Sequence, residues 1–155
     1  MKPGVFSQLY IHLVFAVQGR QRLLNNQGHK NEVYQYISGI ITNMKNKSII
    51  VNGVSDHIHI FIGLNPAFSI SQIVADIKRS SSLFINDKKW FAGKFSWQEG
   101  YGAFSYSKSQ IDSVYNYIQN QEAHHKKKSF RKEYIALLEK FGIEYDEKYL
   151  FRFND

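Results

Sequence analysis

The sequence predicts an α+β fold, an antiparallel sheet built in the order β-α-β-β-α-β and followed by further helices. Strand-like runs of β-branched and aromatic residues occur near the N-terminus, in two adjacent mid-chain segments and near residue 100. The segments between them repeat apolar residues at helical spacing. With 155 residues and 43% hydrophobic content the chain can bury one sizeable core. We therefore expect a single domain over 1–155, with a core of about 7–125 and a helical extension of about 126–155.

The first four elements follow from local patterns. Gln8–Gln18 predicts a strand and is followed by a polar turn region. Lys30–Lys45 predicts a helix because its apolar residues recur at helical spacing. Two strand-like runs then follow, joined near Asn52–Gly53 or slightly later.

The remaining elements complete the order. A helix with Ser69 or Ser71 as its N-cap precedes a strand in "FSWQEGYGAFSYS". A third helix is expected from Lys108 to about His125, and an amphipathic one over Glu133–Phe141, with an edge strand in "YLFRF". This order is that of a ferredoxin-like sheet, whose helices lie on one face and leave the other free to carry chemistry or bind nucleic acid.

Composition limits the function. The net charge of +7 suits a nucleic-acid partner, and a basic protein with no polyanionic partner is the alternative. The absence of cysteine excludes disulfides, thiolate metal sites and a cysteine nucleophile. No apolar run is long enough to cross a membrane, and the N-terminus lacks a signal-peptide pattern, so a cytoplasmic protein is expected.

Two histidines stand in the strand "DHIHIFIGL". Because alternate strand residues share a face, Ile58, Ile60 and Ile62 form the core side. His57 and His59 point to the other side, where two imidazoles can converge on one metal ion. The alternative is a pair hydrogen-bonded to neighbours, and a metal site needs a further ligand from elsewhere.

A tyrosine and a glutamine on the third helix are candidates to join them. Tyr117 and Gln121 lie one turn apart, as do Tyr115 and Gln119, so spacing alone does not choose between the pairs. On a helical wheel Tyr115 falls near the apolar face and is expected in the core, which favours Tyr117. A phenol beside a metal-bound phosphate is a nucleophile once deprotonated, and a surface hydrogen bond is the alternative role.

Together these segments resemble the single-tyrosine HUH transposases of short bacterial insertion sequences, a family that includes the transposase A type and the REP-associated tyrosine transposases. "DHIHIFIGL" resembles the family's HUH strand, and "YIQNQEAHH" its tyrosine helix. "WQEGYGAFSYSKSQ" and "IHLVFAVQGRQ" are similar to the segment before that helix and to the first strand. The resemblance runs in the same order from about Ser7 to Phe141.

The resemblance implies an activity and a set of site residues. His57, His59 and Gln121 would bind Mg²⁺ or Mn²⁺, and Tyr117 would cleave single-stranded DNA near a hairpin through a 5′-phosphotyrosine intermediate. The partners would be DNA hairpins at the ends of the element and a second subunit, in a homodimer whose active sites combine histidines of one subunit with the tyrosine helix of the other. A catalytically silent DNA- or RNA-hairpin binder on the same fold is the alternative, and a phosphodiesterase using water is a third.

Other polar residues have weaker claims. Arg20, Arg22, Lys78 and Arg79 are candidates for DNA-backbone contacts, with a solvated surface as the alternative for the last two. Asp56 is a candidate to orient a ligating imidazole, although alternation places it on the opposite face from His57. His12 is expected either as a hydrogen-bonded sheet histidine or as part of the DNA-binding side.

Overall fold

The computed structural model describes residues 4–19 and 25–153, and the order β-α-β-β-α-β is confirmed. The elements are β1 (Tyr10–Ala16), α1 (Gln27–Asn43), β2 (Lys47–Val54), β3 (His57–Gly63), α2 (Ile70–Lys88), β4 (Gly102–Tyr106), α3 (Ile111–Gln119), α4 (Gln121–His125) and α5 (Phe130–Lys140). The strands form one sheet in the order β2-β3-β1-β4, and every neighbouring pair is antiparallel. This is the predicted ferredoxin-like arrangement. No helix in the described ranges is long and apolar enough to cross a membrane.

The register separates the two faces of the sheet. Leu13 pairs with Ile60 and Phe15 with Ile58, so these side chains share one face and pack with α1 and α2 in the main core. His59 pairs with Val14 on the opposite face. The predicted division of β3 into an isoleucine side and a histidine side is therefore confirmed.

Local residues fix the ends of the elements that carry the site. The β2–β3 connection is a two-residue turn at Ser55–Asp56, slightly later than Asn52–Gly53. Gly53 is required there, because a Cβ at this position would clash with the carbonyl oxygen of His57. Ser69 is the N-cap of α2, where its side chain and that of Gln72 form a capping box.

The second face of the sheet is covered, which differs from the prediction that it is free. Val114 and Ile118 of α3 are buried against Phe61. α3 and α4 both contact β2. From α5, Phe130 stacks on His57, and Phe130, Tyr134 and Leu137 belong to the main core. The apolar residues of the C-terminal helices therefore bury the face on which the histidines lie.

Three local predictions in the C-terminal third were wrong. The third helix begins as a 3-10 turn at Lys108–Gln110 and is interrupted at Asn120, which divides it into α3 and α4. Tyr115 is 37% exposed instead of buried, because the face of α3 that meets the sheet is narrow and carries Val114 and Ile118. "YLFRF" forms no strand. Its Phe151 instead packs against Phe130 and Tyr134 of α5.

Candidate active site

The two strand histidines face a single carboxylate. Both His57 and His59 are fully buried on the covered face of the sheet. The Nε2 atom of each lies 3.3 Å from Oε1 of Glu133, which projects from α5. The two imidazoles therefore face the same carboxylate oxygen.

Asp56 orients the ring of His57. Its Oδ1 atom lies 2.8 Å from Nδ1 of His57, because the tight turn swings the Asp56 side chain towards the histidine that follows. The ring of Phe130 stacks on the face of the His57 imidazole, with 3.7 Å between ring centroids. Burial opposes protonation of His57, but the hydrogen bond to Asp56 and the proximity of Glu133 raise its pKa overall. A proton held on Nδ1 leaves Nε2 directed at the centre of the site.

His59 has a histidine as its partner. Its Nδ1 atom lies 2.8 Å from Nε2 of His12, which is fully buried on β1. Burial, followed by the proximity of His59, lowers the pKa of His12 well below its usual value. Burial also lowers the pKa of His59, although Glu133 opposes this. His12 is thus a hydrogen-bonded sheet histidine, and both rings favour the neutral form in which imidazole binds metals.

Tyr117 and Gln121 reach the same carboxylate from the helices. The hydroxyl of Tyr117 donates a short hydrogen bond to Oε2 of Glu133, and Nε2 of Gln121 donates to the same oxygen at 3.0 Å. Burial, then the negative charge of Glu133, raises the pKa of the Tyr117 phenol. The break at Asn120 lies between these two residues, yet both side chains reach the same oxygen of Glu133.

Asn52 holds the end of the tyrosine helix against the sheet. Its Nδ2 atom donates to the carbonyl oxygens of Ile118 and Gln119 at 2.9 and 3.2 Å. These carbonyls lie in the last turn of α3 and lack helical partners. Because Asn52 pairs with His59 in the β2–β3 register, this contact links the tyrosine helix to the histidine strand.

Two residues of the site, Glu133 and His125, are not among those predicted from the sequence. Nε2 of His125 lies 3.1 Å from Oε1 of Glu133, the oxygen that also faces His57 and His59. The surrounding imidazoles favour the ionised form of the Glu133 carboxyl group. Burial opposes its charge, but the hydrogen bond with His125 and the proximity of the His57 and His59 imidazoles lower its pKa well below the usual range.

A signal for each was present in the sequence. Glu133 occupies a position on the apolar face of α5, three residues after Phe130 and one turn before Leu137, where a carboxylate needs a partner. His125 lies one turn after Gln121.

The donor atoms suit a divalent metal ion. Nε2 of His57, Nε2 of His59 and Oε1 of Gln121 are all buried, and none has a hydrogen-bond partner among the described residues. These belong to the three residues predicted as ligands. Imidazole nitrogens, an amide oxygen and a carboxylate are ligands that Mn²⁺ accepts, and carboxylate and amide oxygens also suit Mg²⁺. By the chemistry of their donor atoms these residues fit such an ion, and the ligand atoms of His57, His125 and Glu133 all lie within 4.8 Å of one another.

Of the basic residues predicted to contact DNA, the two that the structure describes, Lys78 and Arg79, lie away from this site. Arg20 and Arg22 lie outside the described residues. Lys78 belongs to α2 and donates to the carbonyl oxygens of Gln98 and Gly100 at 2.8 and 2.7 Å, which uses its charge inside the fold. The exposed Arg79 pairs with Asp76 on the same helix. Both project from the helix layer on the face of the sheet opposite the histidines.

Cationic cavities flank Tyr117 instead. One of about 370 Å³ is lined by Tyr117, His124, His125, Lys127, Lys128, Glu133, Ala136, Leu137 and Lys140. A second, of about 210 Å³, lies between Tyr117, Lys140 and the start of α3. Lys127, Lys128 and Lys140 therefore lie on the accessible side of the tyrosine, whereas His57 and His59 are fully buried.

Comparisons with known proteins identify a family and agree with the fold. The family model described as "Transposase IS200 like" matches residues 5–121, more than half of the chain. The chain is similar to a protein of Deinococcus radiodurans R1 assigned as a transposase, with 20% identity and a TM-score of 0.60 over 78% of this chain and 96% of that one. It is also similar to a REP-associated tyrosine transposase bound to a REP hairpin, with 12% identity and a TM-score of 0.58 over 81% and 74%. No curated protein sequence matches it. At such identities the solved structures establish the fold alone.

Proposed function

This chain belongs to the IS200-like transposase family, and from that premise we propose that it cleaves and rejoins single-stranded DNA near hairpins with Tyr117 as the nucleophile. One observation carries the proposal. Tyr117, Gln121, His57 and His59 come from three separate elements, yet all contact the carboxylate of Glu133. A phenol nucleophile and a set of metal-binding donors thereby meet at one point.

The reaction is a phosphoryl transfer to tyrosine. The phenol oxygen of Tyr117 attacks the scissile phosphorus, and the bond from phosphorus to the 3′-oxygen breaks. The products are a 5′-phosphotyrosine and a free 3′-hydroxyl, whose oxygen takes up one proton in exchange for the one that the phenol loses. In rejoining, a 3′-hydroxyl attacks a phosphotyrosine and restores the phenol. No ATP is needed, because the energy of the broken ester is kept in the covalent link.

Glu133 is placed to accept the proton that Tyr117 loses. Burial and the nearby carboxylate hold the phenol protonated in the resting site, so Tyr117 needs an acceptor at the moment of attack. Oε2 of Glu133 already accepts the hydrogen bond from the hydroxyl. The carboxylate therefore aligns the phenol before the DNA arrives and provides a base within the required distance.

His57, His59 and Gln121 would hold a divalent ion, Mg²⁺ or Mn²⁺. Such an ion, when bound, polarises the scissile phosphate and offsets the charge that develops there. Asp56 orients the imidazole of His57 and His12 that of His59, in each case through the Nδ1 atom. α5 covers both imidazoles and excludes water from them. Imidazole donors favour Mn²⁺ by ligand type, whereas the amide oxygen also suits Mg²⁺. Because the donor set accepts either ion, metal availability decides which one is used.

The DNA would approach from the cavities beside Tyr117. Lys127, Lys128 and Lys140 line them and are suited to neutralise backbone phosphates close to the nucleophile. Arg20, Arg22, Lys78 and Arg79 remain proposed as contacts to the DNA backbone.

The exchange of tyrosine helices between two subunits stays a prediction, with Ser107 before the 3-10 turn as the hinge. One chain by itself places Tyr117 beside its own His59, with ring centroids 5.9 Å apart. A mixture of Tyr117→Phe and His57→Ala proteins distinguishes the arrangements. Shared sites regain activity in mixed dimers, whereas sites built within one chain stay inactive. A monomeric mass in light scattering with full cleavage activity would exclude exchange.

The decisive test is covalent trapping. Labelled hairpin oligonucleotides from the DNA flanking the gene are incubated with the protein and Mg²⁺ or Mn²⁺, then separated on a denaturing gel. We expect a slow band that disappears with EDTA and in Tyr117→Phe but persists in Tyr115→Phe. The exposed Tyr115, two residues away on the same helix, is the matched control.

Other outcomes identify the alternatives. A hairpin that is bound without any covalent band, with several sequences and both metals, indicates the catalytically silent binder. Cleavage without an adduct, and retained in Tyr117→Phe, indicates a phosphodiesterase that uses water.

A further inference from the structure

We propose that Glu133 and His125 are additional ligands of the metal ion, so that α5 closes the metal site. This inference rests on the proposed function, because it concerns the same site. Both residues lie beyond residue 121, where the match to the family model ends. The C-terminal helices would thus contribute to metal binding in this chain as well as covering the sheet.

The distances around Glu133 are those expected between donors of one ion. Ligand atoms that share an ion in tetrahedral or octahedral geometry lie about 3.0–3.5 Å apart for bonds of roughly 2.1 Å. Oε1 of Glu133 lies 3.1 Å from Nε2 of His125 and 3.3 Å from Nε2 of His57. His57, His125 and Glu133 each offer a ligand atom within 4.8 Å of the others.

The two oxygens of Glu133 are used differently. Oε2 accepts from Tyr117 and Gln121, whereas Oε1 faces the imidazoles. A carboxylate can therefore bind the ion through one oxygen while it keeps the nucleophile aligned through the other. Because His125 lies in α4 and Glu133 in α5, both C-terminal helices would be fixed to the metal.

The chemistry of the donor set also calls for a carboxylate. Two imidazoles and an amide carry no negative charge, so without Glu133 a divalent ion would be buried with its charge unbalanced. Asp56 does not fill this role, because its carboxylate is bonded to Nδ1 of His57, on the opposite side of the ring from Nε2. Glu133 supplies the negative charge directly.

The alternative is that Glu133 only blocks the site and leaves when metal binds. The two cases differ in how removal of the charge affects metal affinity. If Glu133 is a ligand, its charge increases the affinity for the metal ion. If it only occupies the site, it competes with the ion and decreases that affinity. The two cases also differ in how metal affects α5. If Glu133 is a ligand, metal binding fixes the helix on the sheet. If Glu133 only occupies the site, metal binding displaces it and loosens the helix.

The test is a Mn²⁺ titration of the whole protein, followed by electron paramagnetic resonance, in which bound Mn²⁺ loses the sharp six-line signal of the free ion. Glu133→Gln keeps the size of the side chain and a hydrogen-bond acceptor for Tyr117. Glu139→Gln, the same change at an exposed position of α5, is the matched control. Hydrogen exchange of residues 130–140 with and without Mn²⁺ reports the docking of the helix.

We expect Glu133→Gln to bind Mn²⁺ at least tenfold more weakly than the wild type, since even indirect support of a metal ligand is worth about tenfold or more. Glu139→Gln should bind as the wild type, and Mn²⁺ should slow exchange in α5 only while Glu133 is present. His125→Gln gives the same test if Glu133→Gln fails to fold.

Unchanged or tighter Mn²⁺ binding by Glu133→Gln overturns the inference and leaves the proposed function intact. Faster exchange in α5 on addition of Mn²⁺ overturns it too. A wild-type protein that binds no Mn²⁺ contradicts the metal-dependent function as well.

Discussion

Nε2 of His12 on β1 lies 2.8 Å from Nδ1 of His59 on β3, and both rings are fully buried. In the β1–β3 register His12 pairs with Phe61 and Val14 with His59, so the two histidines are diagonal neighbours on one face. When Nδ1 of His59 donates its proton to Nε2 of His12, the tautomer of His59 is fixed with the lone pair of its Nε2 free and directed at the site.

His12→Ala should therefore impair both stability and metal binding. It leaves Nδ1 of His59 buried without a partner, which costs about 1–3 kcal/mol in the free energy of unfolding. The ring of His59 also loses its orientation, so Mn²⁺ affinity should fall about tenfold. Urea denaturation and Mn²⁺ titration measure the two effects. His29→Ala, at a position outside the site, should leave Mn²⁺ affinity unchanged, and an equal loss in both variants would argue against this role for His12.

Asp56→Asn should weaken Mn²⁺ binding about 10- to 100-fold, because the carboxylate orients His57 and increases its basicity. Stability should change less, since the amide can still accept a hydrogen bond from Nδ1. Isothermal titration with Mn²⁺ measures the affinity, and thermal melting without metal measures the stability. Wild-type affinity in Asp56→Asn would mean that the stack on Phe130 alone is enough to orient the ring.

Asn52→Ala should separate the tyrosine helix from the histidine strand. The change removes the two hydrogen bonds to the last turn of α3 and should cost about 1 kcal/mol in the free energy of unfolding. Asn52→Asp should be worse, because a carboxylate would face two carbonyl oxygens. In both variants the yield of covalent adduct should fall more than hairpin affinity, as measured by denaturing and native gels. An adduct yield that falls only in proportion to binding would make Asn52 a purely structural residue.

Gly102→Ala should loosen α5. A Cβ at this position in β4 would lie 2.8 Å from the hydroxyl of Tyr134 and 2.9 Å from its Cε1 atom, so the buried Tyr134 must move. The expected loss is about 1–3 kcal/mol in the free energy of unfolding, with faster hydrogen exchange over 130–140. Gly39→Ala is the control, because a Cβ there meets nothing within 4 Å. Its position inside α1 predicts a gain of about 0.5–1 kcal/mol. Equal stability of the two variants would show that α5 does not depend on close packing at Gly102.

The sheet and its two faces could be predicted from the sequence because they depend on local periodicity. Alternation in "HIHIFIG" fixes which side chains of β3 share a face, whatever the strand packs against. Helical spacing predicts α1 and α2 in the same way. The position of Tyr115 could not be predicted, because a helical wheel gives an apolar direction without the width of the surface that the sheet presents. Spacing left a second pair open, and the helical wheel favoured Tyr117 through an expectation for Tyr115 that was wrong. The resemblance to a family then implied the roles of Tyr117 and Gln121.

The sequence by itself determined the element order, the burial of the isoleucines and the side of β3 from which the two histidines project. The tertiary structure decided what those histidines face. The residues around them come from separate elements: β1 (His12), a turn (Asp56), α4 (His125) and α5 (Glu133). The contact between His57 and Glu133 joins residues 76 positions apart in the sequence. No local pattern encodes such a distance. The site forms because the apolar side chains of α3 and α5 pack on the second face of the sheet, which carries a carboxylate into the space between the imidazoles.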